Sequence, residues 1–200
     1  AGIPLGFDTI ALFVNQDIFD TFGKAPPTTW DELRTLAREL TVADENGAIK
    51  QAGAALGRTE NVDHWPEIFA LLMFQNRAKL AEPTGPLAEA VLEFYTRFSK
   101  QDHIWDETLP ASTVAFAGGK VAMYLGPSWR IHEIKQLNPN LRFKVVNAPQ
   151  LPKDTPDEPS IYYASYWAEG VWAESKGKTQ AWEFLKFLST KESLEKLYQN

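Results

Sequence analysis

Three features of the sequence predict an α/β protein. Apolar segments with strand character alternate along the chain with segments whose apolar residues recur at helical spacing, which points to layers of helix on sheet. The chain has 200 residues, 44% hydrophobic and 23% charged, enough to bury one ordinary core or two small ones, and this composition excludes disorder, collagen and coiled coil. No apolar run approaches the roughly 18 residues of a membrane-spanning helix.

The elements follow in order. Leu5 to Val14 reads as a strand interrupted by Asp8, and Ala1-Gly2-Ile3-Pro4 before it has neither the charged nor the apolar region of a signal peptide. Asn15-Gln16-Asp17 offers cap chemistry for a short helix through Phe22, ended by Gly23. Thr29-Trp30-Asp31-Glu32 is a capping box, and Trp30, Leu33, Ala37 and Leu40 then share one helical face. Asp44-Glu45-Asn46-Gly47 predicts a tight turn, and Ala52 to Leu56 a short strand of small residues. After a polar loop from Arg58 to Trp65, Pro66 opens a helix with Ile68, Phe69, Leu72 and Met73 on its core face. A further helix is predicted over Pro86–Lys100, then a loop from Gln101 to Ala111, with Ser112 capping a short helix that ends at Gly118-Gly119. Lys120 to Leu125 reads as a buried strand, and Gly126-Pro127-Ser128-Trp129-Arg130 turns into another helix with Pro127 near its start. Leu141 to Val146 is a strand, Ala148 to Ser160 a Pro-rich acidic surface loop, and Ile161 to Ala173 an aromatic strand. Helices over Lys178–Ser189 and Lys191–Tyr198 close the chain.

Several chemistries are excluded. The absence of cysteine removes disulfides, thiol nucleophiles and thiolate metal sites. The net charge of −6, with basic residues scattered among acids, is the wrong pattern for tracking phosphates, so no nucleic-acid partner is expected. His64, His103 and His132 lack metal-ligand spacing and read as exposed surface residues. Asp44–Gly47 is too short for an EF-hand loop, and Gly118-Gly119-Lys120 lacks the flanking residues of a P-loop, so no metal or cofactor is expected. The seven Trp and six Tyr exceed what a core of this size needs and suit stacking on ring-shaped ligands.

Four segments in collinear order are familiar. They are Leu5-Gly6-Phe7-Asp8-Thr9-Ile10-Ala11-Leu12-Phe13-Val14-Asn15-Gln16-Asp17-Ile18-Phe19; Pro26-Pro27-Thr28-Thr29-Trp30-Asp31-Glu32-Leu33; Phe116-Ala117-Gly118-Gly119-Lys120-Val121-Ala122-Met123-Tyr124-Leu125-Gly126-Pro127-Ser128-Trp129; and Ala181-Trp182-Glu183-Phe184-Leu185-Lys186-Phe187-Leu188-Ser189. In these segments the chain resembles extracellular (periplasmic) solute-binding protein family 1, the sugar-binding subunits of ABC importers, to which maltose-binding protein belongs. The resemblance implies a type II periplasmic-binding-protein-like lobe with a mixed sheet flanked by helices. Residues 1–160 would be the second lobe with its entering hinge strand, and residues 161–200 a returning strand and helices that dock on a missing first lobe. Family members are about twice this long, so a fragment is expected. The partners implied are a carbohydrate, an ABC transporter permease, the missing first lobe, and a membrane reached only through a lipid anchor on the full-length protein, with no cofactor.

The same resemblance singles out site residues. Asp8 lies where the family places a sugar-binding acid at the hinge; alternatively it caps a nearby amide. Glu60 matches an acid of a ligand loop, with Asn61 and His64 beside it, and Trp65 matches a following Trp-Pro, whereas the family's aromatic positions are Val62 and Asp63 here. Trp129 stands one residue after the family's stacking Trp, at Ser128; it would stack on a sugar ring or pack under the helix, and Arg130 would add hydrogen bonds. Tyr163 reads as core, while Trp167, near Tyr166, reads as cleft wall. The competing functions are a carbohydrate-binding component of an importer, a non-binding interaction module marked by the apolar Trp182–Leu188 helix, and a glycosidase using Asp8 and Glu60 as its carboxylate pair.

Overall fold

The computed structural model describes residues 2–153, 155 and 157–199. Its elements are β1 (Gly2–Asn15), α1 (Gln16–Phe22), α2 (Trp30–Glu39), β2 (Val42–Ala43), β3 (Ile49–Ala54), α3 (Trp65–Gln75), α4 (Pro86–Lys100), α5 (Ser112–Ala117), β4 (Val121–Pro127), α6 (Arg130–Leu137), β5 (Phe143–Asn147), β6 (Ala164–Gly170), α7 (Lys178–Leu188) and α8 (Lys191–Tyr198). The chain divides into a larger unit, Thr9–Tyr163, and a smaller one made of Ala1–Asp8 and Ala164–Asn200.

The larger unit is built on a mixed sheet in the order β2-β3-β4-β1-β5. Only β3 and β4 are parallel; β1 runs antiparallel to both β4 and β5, and β2 antiparallel to β3. Every residue of β4 is buried, as expected of a strand covered on both faces. Phe13, Phe116, Tyr124 and Phe143 pack as a ring cluster, mostly edge to face.

Local chemistry explains where helices begin and end. The Asn15 side chain accepts from the Asp17 and Ile18 amides, and Gly23 closes α1 in the left-handed conformation at φ 60°, which costs a residue without Cβ least. The Thr29–Glu32 capping box is fully formed, and the predicted α2 face is buried. Arg34 grips Asp102, beyond the end of α4, through a two-pronged bond of 2.6 and 2.9 Å. The Asp44 carboxylate accepts from Asn46 and Ala48 and so shapes the predicted turn.

Five expectations are corrected. The strand of small residues spans Ile49–Ala54 rather than Ala52–Leu56, because the Asp44–Gly47 turn folds β2 back onto Ile49 and Gln51. Ser112 does not cap α5; its hydroxyl is drawn to Asp63 instead. Pro127 ends β4 and stands three residues ahead of α6. The Ala148–Ser160 stretch is not all surface loop: Ala148 is buried, and Gln150 exchanges backbone bonds with Thr28 and Trp30. Asp154 and Pro156 of that stretch, like Ala1, lie outside the described residues. The aromatic strand shortens to Ala164–Gly170 because Ile161–Tyr163 is tied to the larger core. Gln75 Nε2 donates to Ile161 O at 3.0 Å, Ile10 N donates to Tyr163 O at 3.2 Å, and the Tyr163 ring stacks on Phe74, as its core reading requires.

In the smaller unit β6 pairs with β1, and the Tyr198 hydroxyl donates to Leu5 O at 3.1 Å. An open groove of about 600 Å³ is lined by Leu5, Phe7, Tyr166, Leu194 and Tyr198 among others. Leu185 is the one buried residue among the described residues of this unit.

The packing of α2 on β3 depends on Gly53. A Cβ there would stand 1.8 Å from the Ala37 carbonyl oxygen, a backbone atom that cannot swing aside. Gly53→Ala is therefore expected to lower stability by about 3 kcal/mol through overpacking. Urea unfolding checks this: the midpoint should fall with an unchanged slope, and a variant as stable as the parent would mean that helix and strand are not in direct contact.

Candidate functional site

The parallel register of β3 and β4, with Ala52 opposite Val121 and Ala54 opposite Met123, makes both strands end at the same edge of the sheet. The loop that leaves β3 and the turn that leaves β4 therefore emerge side by side, the usual place for a ligand site in an α/β sheet. The two segments meet through His64, Trp129 and Arg130.

Arg130 organises the group. Its Nε donates to His64 Nε2 at 2.9 Å, its Nη1 donates to Glu133 Oε2, and its guanidinium carbon stands 4.3 Å from the centre of the Trp129 ring. The His64 ring meets Trp129 edge to face, with centroids 5.7 Å apart. Trp129 is nonetheless 50% exposed, whereas His64 is only 6% exposed. The expectation of three surface histidines thus fails at His64 and holds at His103 and His132. Burial, reinforced by the Arg130 charge, pushes the His64 pKa down, against the opposing pull of Glu67 and Asp63. An imidazole that accepts at Nε2 is neutral and carries its proton on Nδ1, which lies 3.7 Å from Glu67 Oε1.

The loop carrying His64 is fixed from below. Asp63 Oδ2 accepts from the Ser112 hydroxyl at 3.1 Å and from the Thr113 amide and hydroxyl at 2.9 and 2.6 Å, while Asp63 N donates to Ser112 Oγ. Asp63 thereby caps α5 from another part of the chain, which is why Ser112 does not. With the Thr113 proton given to Asp63, the Tyr124 hydroxyl donates to Thr113 Oγ1 at 3.0 Å. Burial raises the Asp63 pKa, but the Thr113 and Ser112 bonds and the Arg130 charge outweigh it and hold the carboxyl below its usual value.

The remaining expected residues are placed as follows. Asn61 spends its amide on the fold: Nδ2 donates to the Asp106 and Leu109 carbonyls at 2.8 and 2.9 Å, and Oδ1 accepts from the buried Trp105 Nε1 at 2.8 Å. Trp65 is partly buried against the core as the first residue of α3. Glu60 is exposed on the same loop; its own amide and that of Thr59, together with Arg58, hold its carboxyl low, the reverse of what a general acid needs. Asp8 and Trp167 belong to the smaller unit, Trp167 standing 89% exposed on β6. Sequence reasoning missed Glu133, whose spacing from Arg130 on a helix is the signal that could have found it. Among the described residues no group of three or more His, Asp or Glu could hold a metal ion.

The sequence profile of the bacterial extracellular solute-binding proteins matches residues 1–200, and the chain belongs to this family. Proteins described as binding proteins from Brucella abortus (strain 2308) and Brucella suis biovar 1 (strain 1330) are each 26% identical over 205 residues; the match covers all of this chain and 49% of theirs. The chain thus spans about half the length of the curated relatives it matches. An ABC transporter solute-binding protein from Thermotoga lettingae TMO, bound with α-D-tagatose, superimposes with a TM-score of 0.76 at 22% identity, over 99% of this chain and 52% of that one. The protein CpMnBP1 with mannobiose bound gives 0.69 at 25% identity, over 98% and 51%. The maltodextrin-binding domain of Bdellovibrio bacteriovorus, bound to maltotriose, gives 0.65 at 20% identity, over 96% and 50%. The mixed sheet flanked by helices is the fold of these proteins, covering about half of each.

The Asp63 knot makes a pH-dependent prediction. Asp63→Asn is expected to cost about 2 kcal/mol at pH 7, the worth of charge-assisted hydrogen bonds. Because the folded pKa lies below the unfolded one, the carboxylate's contribution is complete above the unfolded value and is lost as pH falls through the folded value. Urea unfolding at neutral pH and near pH 3 should show the gap between parent and variant narrowing below about pH 4. A gap constant across that range would contradict the knot.

Proposed function

We propose that this member of the bacterial extracellular solute-binding protein family contributes half of a carbohydrate-binding site to an ABC importer, acting outside the cytoplasmic membrane. The observation that carries the reading is Trp129: a half-exposed indole, backed by Arg130 and held at the shared end of β3 and β4. A sugar ring offers polarised C–H bonds to such a π face and hydroxyls to flanking donors and acceptors. Arg130 and Glu133 supply those groups, with Glu60 as a further acceptor on the neighbouring loop. Because Glu133 already balances the Arg130 charge, a neutral saccharide fits better than an acidic one. The saccharides named for the tagatose-, mannobiose- and maltotriose-bound neighbours support the same substrate class.

The other jaw of the site is proposed to come from the length that the relatives carry beyond the matched half. The exposed Trp172, Phe184 and Phe187 of the smaller unit suit packing against such a lobe. Recognition of the closed form by a permease, and a lipid anchor on the whole protein, complete the proposal.

Calorimetric titration of mannobiose and maltotriose into the full gene product tests it. Saturable binding is expected, weakened about tenfold or more in Trp129→Ala, equivalent to about 1.4 kcal/mol. A folded protein that binds no saccharide, or a Trp129→Ala variant of unchanged affinity, would overturn the reading.

A further inference from the structure

His64 is a buried imidazole that the proposed binding chemistry does not itself use. Two bonds from two different elements fix the plane of the Arg130 guanidinium: Nε to His64 Nε2, on the loop before α3, and Nη1 to Glu133, on α6. That plane is what backs Trp129 at 4.3 Å, and the His64 ring abuts the indole directly. Among the groups described around Arg130 Nε, only His64 Nε2 is bonded to it, and a lone pair exists there only while the imidazole is neutral.

We propose that His64 is a positioning residue for the Trp129–Arg130 platform: neutral, it accepts from Arg130 and aims the guanidinium at the indole, and on protonation it repels Arg130 and releases the platform. The charged groups facing it are Arg130 from α6, Glu67 from α3 and Asp63 from its own loop, with Glu133 on the far side of Arg130. Protonation adds a second N–H directed at a guanidinium 2.9 Å away, so both an acceptor is lost and two cations face each other. Glu67 cannot restore the lost bond, because it lies beside Nδ1, which is already protonated. Asp63 is held towards α5, its Oδ2 accepting from Ser112 and Thr113. Burial and Arg130 keep His64 neutral until the solution is more acidic than an ordinary histidine requires, so the platform is intact at neutral pH and opens on acidification. The consequence for ligand rests on the carbohydrate reading: affinity should fall in acid as the platform opens.

The test uses the full gene product labelled with ¹⁵N in histidine and tryptophan and followed by NMR from about pH 8 to about pH 4.5, a range that spans the histidine titration. At the alkaline end His64 should show an unprotonated Nε2 and a protonated Nδ1, the reverse of the tautomer that free imidazole side chains favour. The Trp129 indole resonance, assigned with Trp129→Phe, should then move with the same midpoint as His64. In His64→Gln the amide oxygen replaces Nε2 as acceptor, so the indole should keep its neutral-pH position at every pH. In His64→Leu it should be displaced throughout. A protonated Nε2 at pH 8, an indole that ignores the His64 titration, or a His64→Gln variant that keeps the pH response would each overturn the proposal. Mannobiose affinity measured in parallel should drop about tenfold across the His64 titration in the parent and stay level in His64→Gln. Absence of mannobiose binding at every pH would sink the carbohydrate reading while leaving the tautomer and the indole to decide the role of His64.

Discussion

The parallel pairing of β3 with β4 is the constraint from which the rest of the larger unit follows. The β1–β4, β1–β5 and β2–β3 pairs are antiparallel, whereas β3 and β4 are adjacent strands running the same way, so both end at the same edge and bring together a loop and a turn that are far apart in sequence. The pairing has its own packing requirement. β3 reads Ala52-Gly53-Ala54 because α2 lies directly against it, with its Ala37 backbone where a Gly53 side chain would be. β4, covered on both faces, is apolar throughout and delivers Gly126-Pro127 to the start of the turn.

Irregular segments at that edge are held by saturated polar groups rather than by regular structure. Asn61 uses both ends of its amide to bind Trp105 and two carbonyls of the 101–111 loop. Asp63 binds the first turn of α5, and Tyr124 extends the chain of hydroxyls into the core. Because each of these donors has an acceptor, the loop holds a buried His64 beside a half-exposed Trp129. The smaller unit has a different character. Tyr166, Trp167, Trp172, Phe184 and Phe187 are all exposed, and Leu185 is the one buried residue among its described residues.

Much of the fold was legible wherever the signal is local. The Asn15 cap, the Thr29–Glu32 box, the Asp44–Gly47 turn and the Pro86 start of α4 all depend on residues within one turn of each other. The misplaced elements depend on distant partners. Ser112 has good cap chemistry, but Asp63, 49 residues earlier, takes both the hydroxyl and the cap position. Ile161–Tyr163 has strand composition, but Gln75 and Phe74 claim it for the core. The candidate site divides in the same way. Trp129 and Arg130 are singled out by the resemblance of the Gly126-Pro127 turn to that of the family. The burial of His64 was hidden because its partner Arg130 is 66 residues away, and nothing in the residues around His64 marks the strand pairing that joins them.

The measurement that bears most directly on the role of the β3–β4 edge is residue-resolved NMR mapping of the full gene product as mannobiose is added. If that edge is the saccharide platform, the largest shifts will fall on the Trp129 indole, the Arg130 side chain and the His64 ring. Saccharide-dependent shifts confined to other surfaces, with Trp129 unmoved at saturation, would contradict it.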